Sequence, residues 1–147
     1  FGGKVYKAER SEIGFYPIHL TEESKSDALL GGGLPNPIKL VEFHYDTFDL
    51  PPSATLLMTG AEHAYNQAFR VGSTTYAFQP HFEVTPEQMQ AWVKSAREWV
   101  ASEHPHMPAI VSDELARHGP DAQDFAHRVG GAWFDLVARQ RDGRQRT

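Results

Sequence analysis

His81 and Glu83 stand two residues apart near the end of an alternating stretch, Thr74 to Val84. An imidazole can take a proton from a nucleophile near neutral pH. A carboxylate beside it holds one ring tautomer and stabilises the charged form. In extended backbone, residues i and i+2 project from one face, about 6–7 Å apart along the chain. A base and its orienting acid are two members of a three-member catalytic set, and the third is a Ser, Thr or Cys. Ser53, Ser73 and Thr85 lack a nucleophile's surroundings, no G-x-S-x-G elbow occurs, and the chain contains no cysteine. Spacing alone does not separate the pair from a surface histidine beside a solvated acid. Its place at a strand end, ahead of a capped helix, favours chemistry.

The elements that would carry this pair follow from periodicity. In Thr74 to Val84 the even positions are mostly apolar, whereas the odd positions end in Gln79, His81 and Glu83. Val5 to Ala8, Ile13 to Leu20, Ile38 to Phe43, Thr55 to Met58 and Gln67 to Val71 are the other predicted strands. Gly31 to Pro37 reads as a loop, since its glycines fit neither phosphate-binding spacing and no helix start follows. Thr85-Pro86-Glu87-Gln88 opens a helix through a capping box with proline in the first turn. Met89, Trp92, Val93, Ala96, Trp99 and Val100 form its buried stripe, and the helix stops before Pro105. A short helix is expected over Ser112 to His118. A long one is expected from Asp121 to about Arg139, burying Ala122, Phe125, Ala126, Val129, Trp133, Leu136 and Val137, with a kink or close packing at Gly130-Gly131.

Several ordered blocks carry a resemblance. Gly2-Gly3-Lys4-Val5-Tyr6-Lys7, Glu12-Ile13-Gly14-Phe15-Tyr16-Pro17 and Phe43-His44-Tyr45-Asp46-Thr47-Phe48-Asp49-Leu50-Pro51 come first. Asn66-Gln67-Ala68-Phe69-Arg70 and Phe78-Gln79-Pro80-His81-Phe82-Glu83-Val84-Thr85-Pro86-Glu87 follow in order. Together, over about residues 1–95, they resemble the class I glutamine amidotransferases, in particular the stand-alone group similar to the amidotransferase domain of GMP synthase. The resemblance implies an α/β fold: a flavodoxin-like three-layer sandwich with a central, mostly parallel sheet, here without its N-terminal strands, and a helical C-terminus. It implies a Cys-His-Glu triad in which His81 and Glu83 are base and orienting acid. The nucleophilic cysteine on its G-x-C-x-G elbow would lie upstream of the Gly2-Gly3 block and so outside this chain. His44 and Asp46 match the family's W-H-x-D segment and are the expected substrate-binding residues. Residues 1–103 would be the C-terminal part of the amidotransferase-like domain, and residues 104–147 a helical extension packed on it.

One departure is Pro80, where the family carries an aromatic or apolar residue. Proline donates no ladder hydrogen bond and forces Gln79 to be extended. A metal site at His44, Asp46 and His81 is disfavoured because no ligand cluster of metal spacing completes it. His104-Pro105-His106 reads as loop, and Tyr45 and Phe48 as packing. Asn66, Gln67 and Arg70 read as turn and sheet residues.

Composition bounds the function. The 147 residues carry 14 Lys and Arg against 19 Asp and Glu, a formal charge of −5, with 40% hydrophobic and 22% charged residues. Mild acidity argues against nucleic acid or an anionic membrane as partner. The arginines at 139, 141, 144 and 146 read as a solvated tail. The chain opens on Phe1, which reads as a processed or excerpted piece. The expected partners are glutamine or a γ-glutamyl compound, a synthase that takes the ammonia, and either the N-terminal half or a second copy to cover cut sheet edges. No cofactor is expected, and the expected location is cytoplasmic. A γ-glutamyl peptidase-like hydrolase and a catalytically silent partner-binding module are the alternatives.

Overall fold

The computed structural model describes residues 1–61 and 63–144. Five strands form one sheet in the order β2-β1-β3-β4-β5: β1 (Val5–Leu20), β2 (Ile38–Phe48), β3 (Ala54–Gly60), β4 (Asn66–Val71) and β5 (Thr75–Phe78). Three helices follow: α1 (Pro86–Ser95), α2 (Arg97–Glu103) and α3 (Met107–Arg144). Helix and sheet both form, but the parallel order does not. Every pairing is antiparallel. The reason lies in the connections. β3, β4 and β5 are joined by short turns, which can only reverse the chain, and apart from one 3-10 turn (Glu23–Ser26) the helices come after the last strand rather than between strands.

The two segments expected at Val5–Ala8 and Ile13–Leu20 are one strand, whose register against β2 shifts between Lys7 and Glu12. Gly14 in this strand has φ +122°, a backbone conformation that residues with a Cβ rarely adopt, and the end of the Met107 side chain packs where that Cβ would stand. The sheet rolls up. Asn66 Nδ2 on β4 reaches the Phe48 carbonyl on β2 at 2.8 Å, although β1 and β3 lie between the two strands. The Phe48 and Phe69 rings meet edge to face at 5.4 Å. Beyond β5 the chain crosses to the free edge of β2, where His81 forms an isolated antiparallel bridge with Val41.

β5 ends at Phe78, well short of Val84, where the alternation of side chains ends. Gln79 still donates to the Gln67 carbonyl at 2.8 Å, and Pro80 then occupies the crossing, where no ladder donor is needed. The departure at Pro80 is therefore accommodated by the end of the strand.

Helix α1 starts as its sequence dictates. Thr85 Oγ1 accepts from the Gln88 backbone, and Gln88 Oε1 accepts from the Thr85 backbone. The helix breaks at Ala96 (φ −91°, ψ 23°) and resumes as α2, so its buried stripe is shared between two helices. Met89, Val93 and Val100 are buried there, whereas Trp92 and Trp99 pack on Phe43 at 5.3 Å. The two C-terminal helices expected separately are one, α3, with Pro120 inside it. Pro120 costs that helix a bond without ending it, because Val111, Leu115, Ala122, Phe125 and Val129 anchor both sides in the core. Gly130 and Gly131 lie within the same helix, and nothing packs within 4 Å of where a Cβ would stand at either, so close packing does not explain the pair. Trp133 and Val137, expected on the buried face, are more than a third exposed. Trp133 instead leans edge-on against Tyr76. Arg146 lies outside the described residues. No described helix is long and apolar enough to cross a membrane.

Candidate functional site

His81 and Glu83 come together. Glu83 Oε1 lies 2.8 Å from His81 Nδ1. Alternation along one continuous strand predicts this pair, and the pair forms although the strand has already ended. Three contacts fix the imidazole. Its own backbone N–H donates to the Val41 carbonyl at 2.7 Å, its ring stands edge-on to Trp92 at 5.0 Å, and Glu83 holds Nδ1. Phe82 between them turns inward, meeting Phe78 and Phe125 at 5.1 and 5.4 Å. Phe82 is partly buried by these contacts, and the side chains on either side of it face outward. The His81 side chain is 35% exposed and that of Glu83 63%. Holding Nδ1 with a carboxylate leaves Nε2 as the atom that can accept a proton.

His44 and Asp46, expected beside this pair, make no hydrogen bond or ion pair with it among the described residues, although the Asp46 carbonyl accepts from Gln79 Nε2 at 3.5 Å. Asp46 is exposed near the end of β2 and lines a cavity of about 350 Å³ with Phe1, Phe48, Phe69 and Gln79. His44 is buried inside the rolled sheet. Its Nε2 lies 2.8 Å from Glu42 Oε2 and 3.2 Å from Glu12 Oε2. Glu12 is the register partner of His44 across β1 and β2, and Glu42 precedes His44 by two residues on the same face. Gln67 approaches from β4, with Nε2 3.4 Å from Glu12 Oε2, and the His63 backbone donates to Glu12 Oε1 at 3.2 Å. Among the described residues, Glu12, Glu42 and His44 form the trio whose potential ligand atoms all lie within 4.8 Å of one another. Asp46 and His81 take no part in it.

Burial and neighbours set the charges of this trio. Burial pushes the Glu42 carboxyl up to about 7, against the pull of His44. Burial alone would lower His44, but the two glutamates outweigh it and raise the imidazole to about 9. Burial would also raise Glu12, yet the contacts with His44 and His63 leave it below the usual carboxylate range.

A second polar group lies where α2 meets β1. Ser11 Oγ donates to Glu103 and lies 2.9 Å from His104 Nε2. His104, read from sequence as loop, does sit between α2 and α3 but is buried, and burial lowers its imidazole below the usual value. Arg70 is more than a sheet residue. It pairs with buried Asp27 at 2.8 Å, and the Asp27 carboxylate also caps Leu29 and takes the Tyr76 hydroxyl.

Sequence reasoning misses Glu12, Glu42 and Gln67 as a polar cluster. Glu42 and His44 obey the same two-residue spacing as His81 and Glu83 and are legible by that rule. Glu12 and Gln67 join them only through strand register and the roll of the sheet, which no local pattern encodes.

No family model matches the chain. It is 30% identical over 100 residues to a glutamine amidotransferase-like protein of Salmonella typhimurium, covering 68% of this chain and 41% of that protein. A glutamine amidotransferase structure from Methylobacillus flagellatus aligns with a TM-score of 0.66 at 26% identity, over 92% of this chain and 56% of the other. One from Thermotoga maritima shares the fold, with a TM-score of 0.63 at 24% identity over 94% and 54% of the two chains. A GMP synthase-type structure from Thermoplasma acidophilum aligns with a TM-score of 0.50 at 28% identity, over 67% and 52%. The chain thus spans about half the length of the relatives it matches.

Proposed function

We propose that this chain, which is homologous to the glutamine amidotransferases, contributes the base and its orienting acid to hydrolysis of the glutamine side-chain amide. The observation that carries this reading is the 2.8 Å contact between His81 Nδ1 and Glu83 Oε1 on a half-exposed surface. His81 Nε2 takes the proton of a cysteine thiol supplied by residues outside this chain, which itself has none. The thiolate attacks the amide carbon, and the proton on Nε2 passes to the leaving nitrogen as ammonia departs. Water, activated by the same Nε2, then cleaves the glutamyl thioester to glutamate and regenerates the thiol. Glu83 keeps the ring in the tautomer this cycle needs and stabilises the imidazolium between steps. The ammonia is used by a synthase partner or released.

In a whole protein that includes these residues, His81→Ala should lower ammonia release from glutamine by at least about 100-fold. Unchanged turnover sinks the reading. Comparing glutamine with γ-glutamyl dipeptides under the same conditions separates an amidotransferase from a γ-glutamyl peptidase-like hydrolase. A second reading, a partner-binding module without catalysis, is favoured by the absent cysteine. It predicts no ammonia release even when the part of the relatives that this chain does not cover is supplied.

A further inference from the structure

Inside the rolled sheet, a set of polar atoms is buried without a hydrogen-bond partner among the described residues: both carboxylate oxygens of Glu42, both ring nitrogens of His44, and Gln67 Oε1. Glu42 and Gln67 are fully buried, and the His44 side chain is 8% exposed. Orphaned polar groups at this depth are costly and rare in folded proteins, and each calls for a partner. Their mutual geometry says which partner. His44 Nε2 lies 2.8 Å from Glu42 Oε2 and 3.2 Å from Glu12 Oε2, within ion-pair reach of both, yet neither contact satisfies the ring nitrogen with hydrogen-bond geometry. Two carboxylate oxygens at about 3 Å from one ring nitrogen have the spacing of adjacent ligands around one ion with bonds of about 2.0–2.2 Å.

We propose that Glu12, Glu42 and His44 bind a divalent transition-metal cation, of which Zn²⁺ is the best fit. One imidazole nitrogen with two carboxylate oxygens suits zinc, and manganese less well. The charges also close. A metal on the ring nitrogen displaces its proton, and the two buried carboxylates beside it then carry −2, which a divalent cation cancels. Gln67 Nε2 at 3.4 Å from Glu12 Oε2 and the His63 backbone at 3.2 Å from Glu12 Oε1 position the Glu12 carboxylate, as outer partners of metal ligands do. His63, whose backbone holds Glu12, also lines an open cavity of about 500 Å³. The role is structural. The ligands come from β1 and β2, and Gln67 ties in β4, so the ion clamps the roll of the sheet. The proposal is independent of the glutaminase reading.

The test uses the 147-residue chain stripped with chelator and titrated with Zn²⁺ alone. One equivalent should bind, the melting temperature should rise with zinc concentration, and X-ray absorption at the zinc edge should fit nitrogen and oxygen ligands with a single imidazole. Glu42→Gln, which keeps the shape, should weaken binding by at least about 10-fold. His106→Ala, a surface change in the neighbouring cavity, should leave binding intact. Three outcomes overturn the proposal: no stoichiometric uptake by the wild-type chain; a spectrum with two or three imidazoles, which assigns the ion to His63, His104 and His106; or undiminished binding in Glu42→Gln. The wild-type spectrum decides even where a variant fails to fold.

Discussion

Glu83 Oε1 and His81 Nδ1 lie 2.8 Å apart, although the strand that would have aligned them ends at Phe78. Between them Phe82 packs its ring against Phe78 and Phe125, and both neighbours face outward.

The isolated chain should release no ammonia from glutamine above a heat-treated control. It has no cysteine, and a base without its nucleophile does not form the thioester. A coupled glutamate dehydrogenase assay measures this. Release abolished by His81→Ala would mean that the chain carries a complete site of its own.

Glu83→Gln should lower turnover of glutamine in a whole protein by about 100-fold or more while leaving KM nearly unchanged. The amide keeps the shape but no longer stabilises the imidazolium. A change confined to KM would assign Glu83 to substrate binding instead.

Acid should destabilise the chain through His104. Burial lowers this imidazole from its ordinary value of 6.5, with Ser11, Glu103, His106 and His63 as its surroundings. The folded state thus favours the neutral ring. The stability that this gives is full above about pH 6.5 and is lost as pH falls through the lower folded value. Between pH 7.5 and pH 5 the melting temperature of His104→Gln should fall less steeply than that of the wild type. Equal slopes would exclude His104 as the cause.

Asp27→Asn should cost about 1–3 kcal/mol, because the carboxylate holds Arg70, Tyr76 and the Leu29 amide from a buried position. Tyr76 gives a second readout. Burial and the Asp27 charge push its phenol up to about 12. In an ultraviolet titration of the folded wild type one tyrosine should ionise late, and in the variant it should move back toward the others.

Much of the fold is legible one segment at a time. The capping box at Thr85 and Gln88 is written in four residues, and with it the start of α1. Turn composition and alternation find the strands, though not their joining. β1 runs unbroken through the polar residues between Lys7 and Glu12, where its register shifts in a way that alternation does not reveal. The parallel sheet follows from a resemblance and not from the residues, whose short connections between β3, β4 and β5 already imply reversal. For the site, the spacing of His81 and Glu83 suffices. His44 reads as a substrate-binding residue and is buried, and the Glu12 it faces lies on another strand, held there by Gln67 of a third. Ala96 breaks a stripe that stays apolar on both sides, so the α1–α2 junction has no mark in the hydrophobic pattern.

One backbone hydrogen bond, from His81 to Val41, joins the chain beyond β5 to the outer edge of β2 at a seam, beside a longer side-chain contact from Gln79 to the Asp46 carbonyl. A lone bridge opens at far lower cost than the ladders on either side. An opening at this seam would move the imidazole while leaving the rest of the sheet paired. Any reaction that needs the shut form proceeds at its intrinsic speed multiplied by the shut fraction. A contact partner that merely latched this seam would raise the rate without touching a reacting atom.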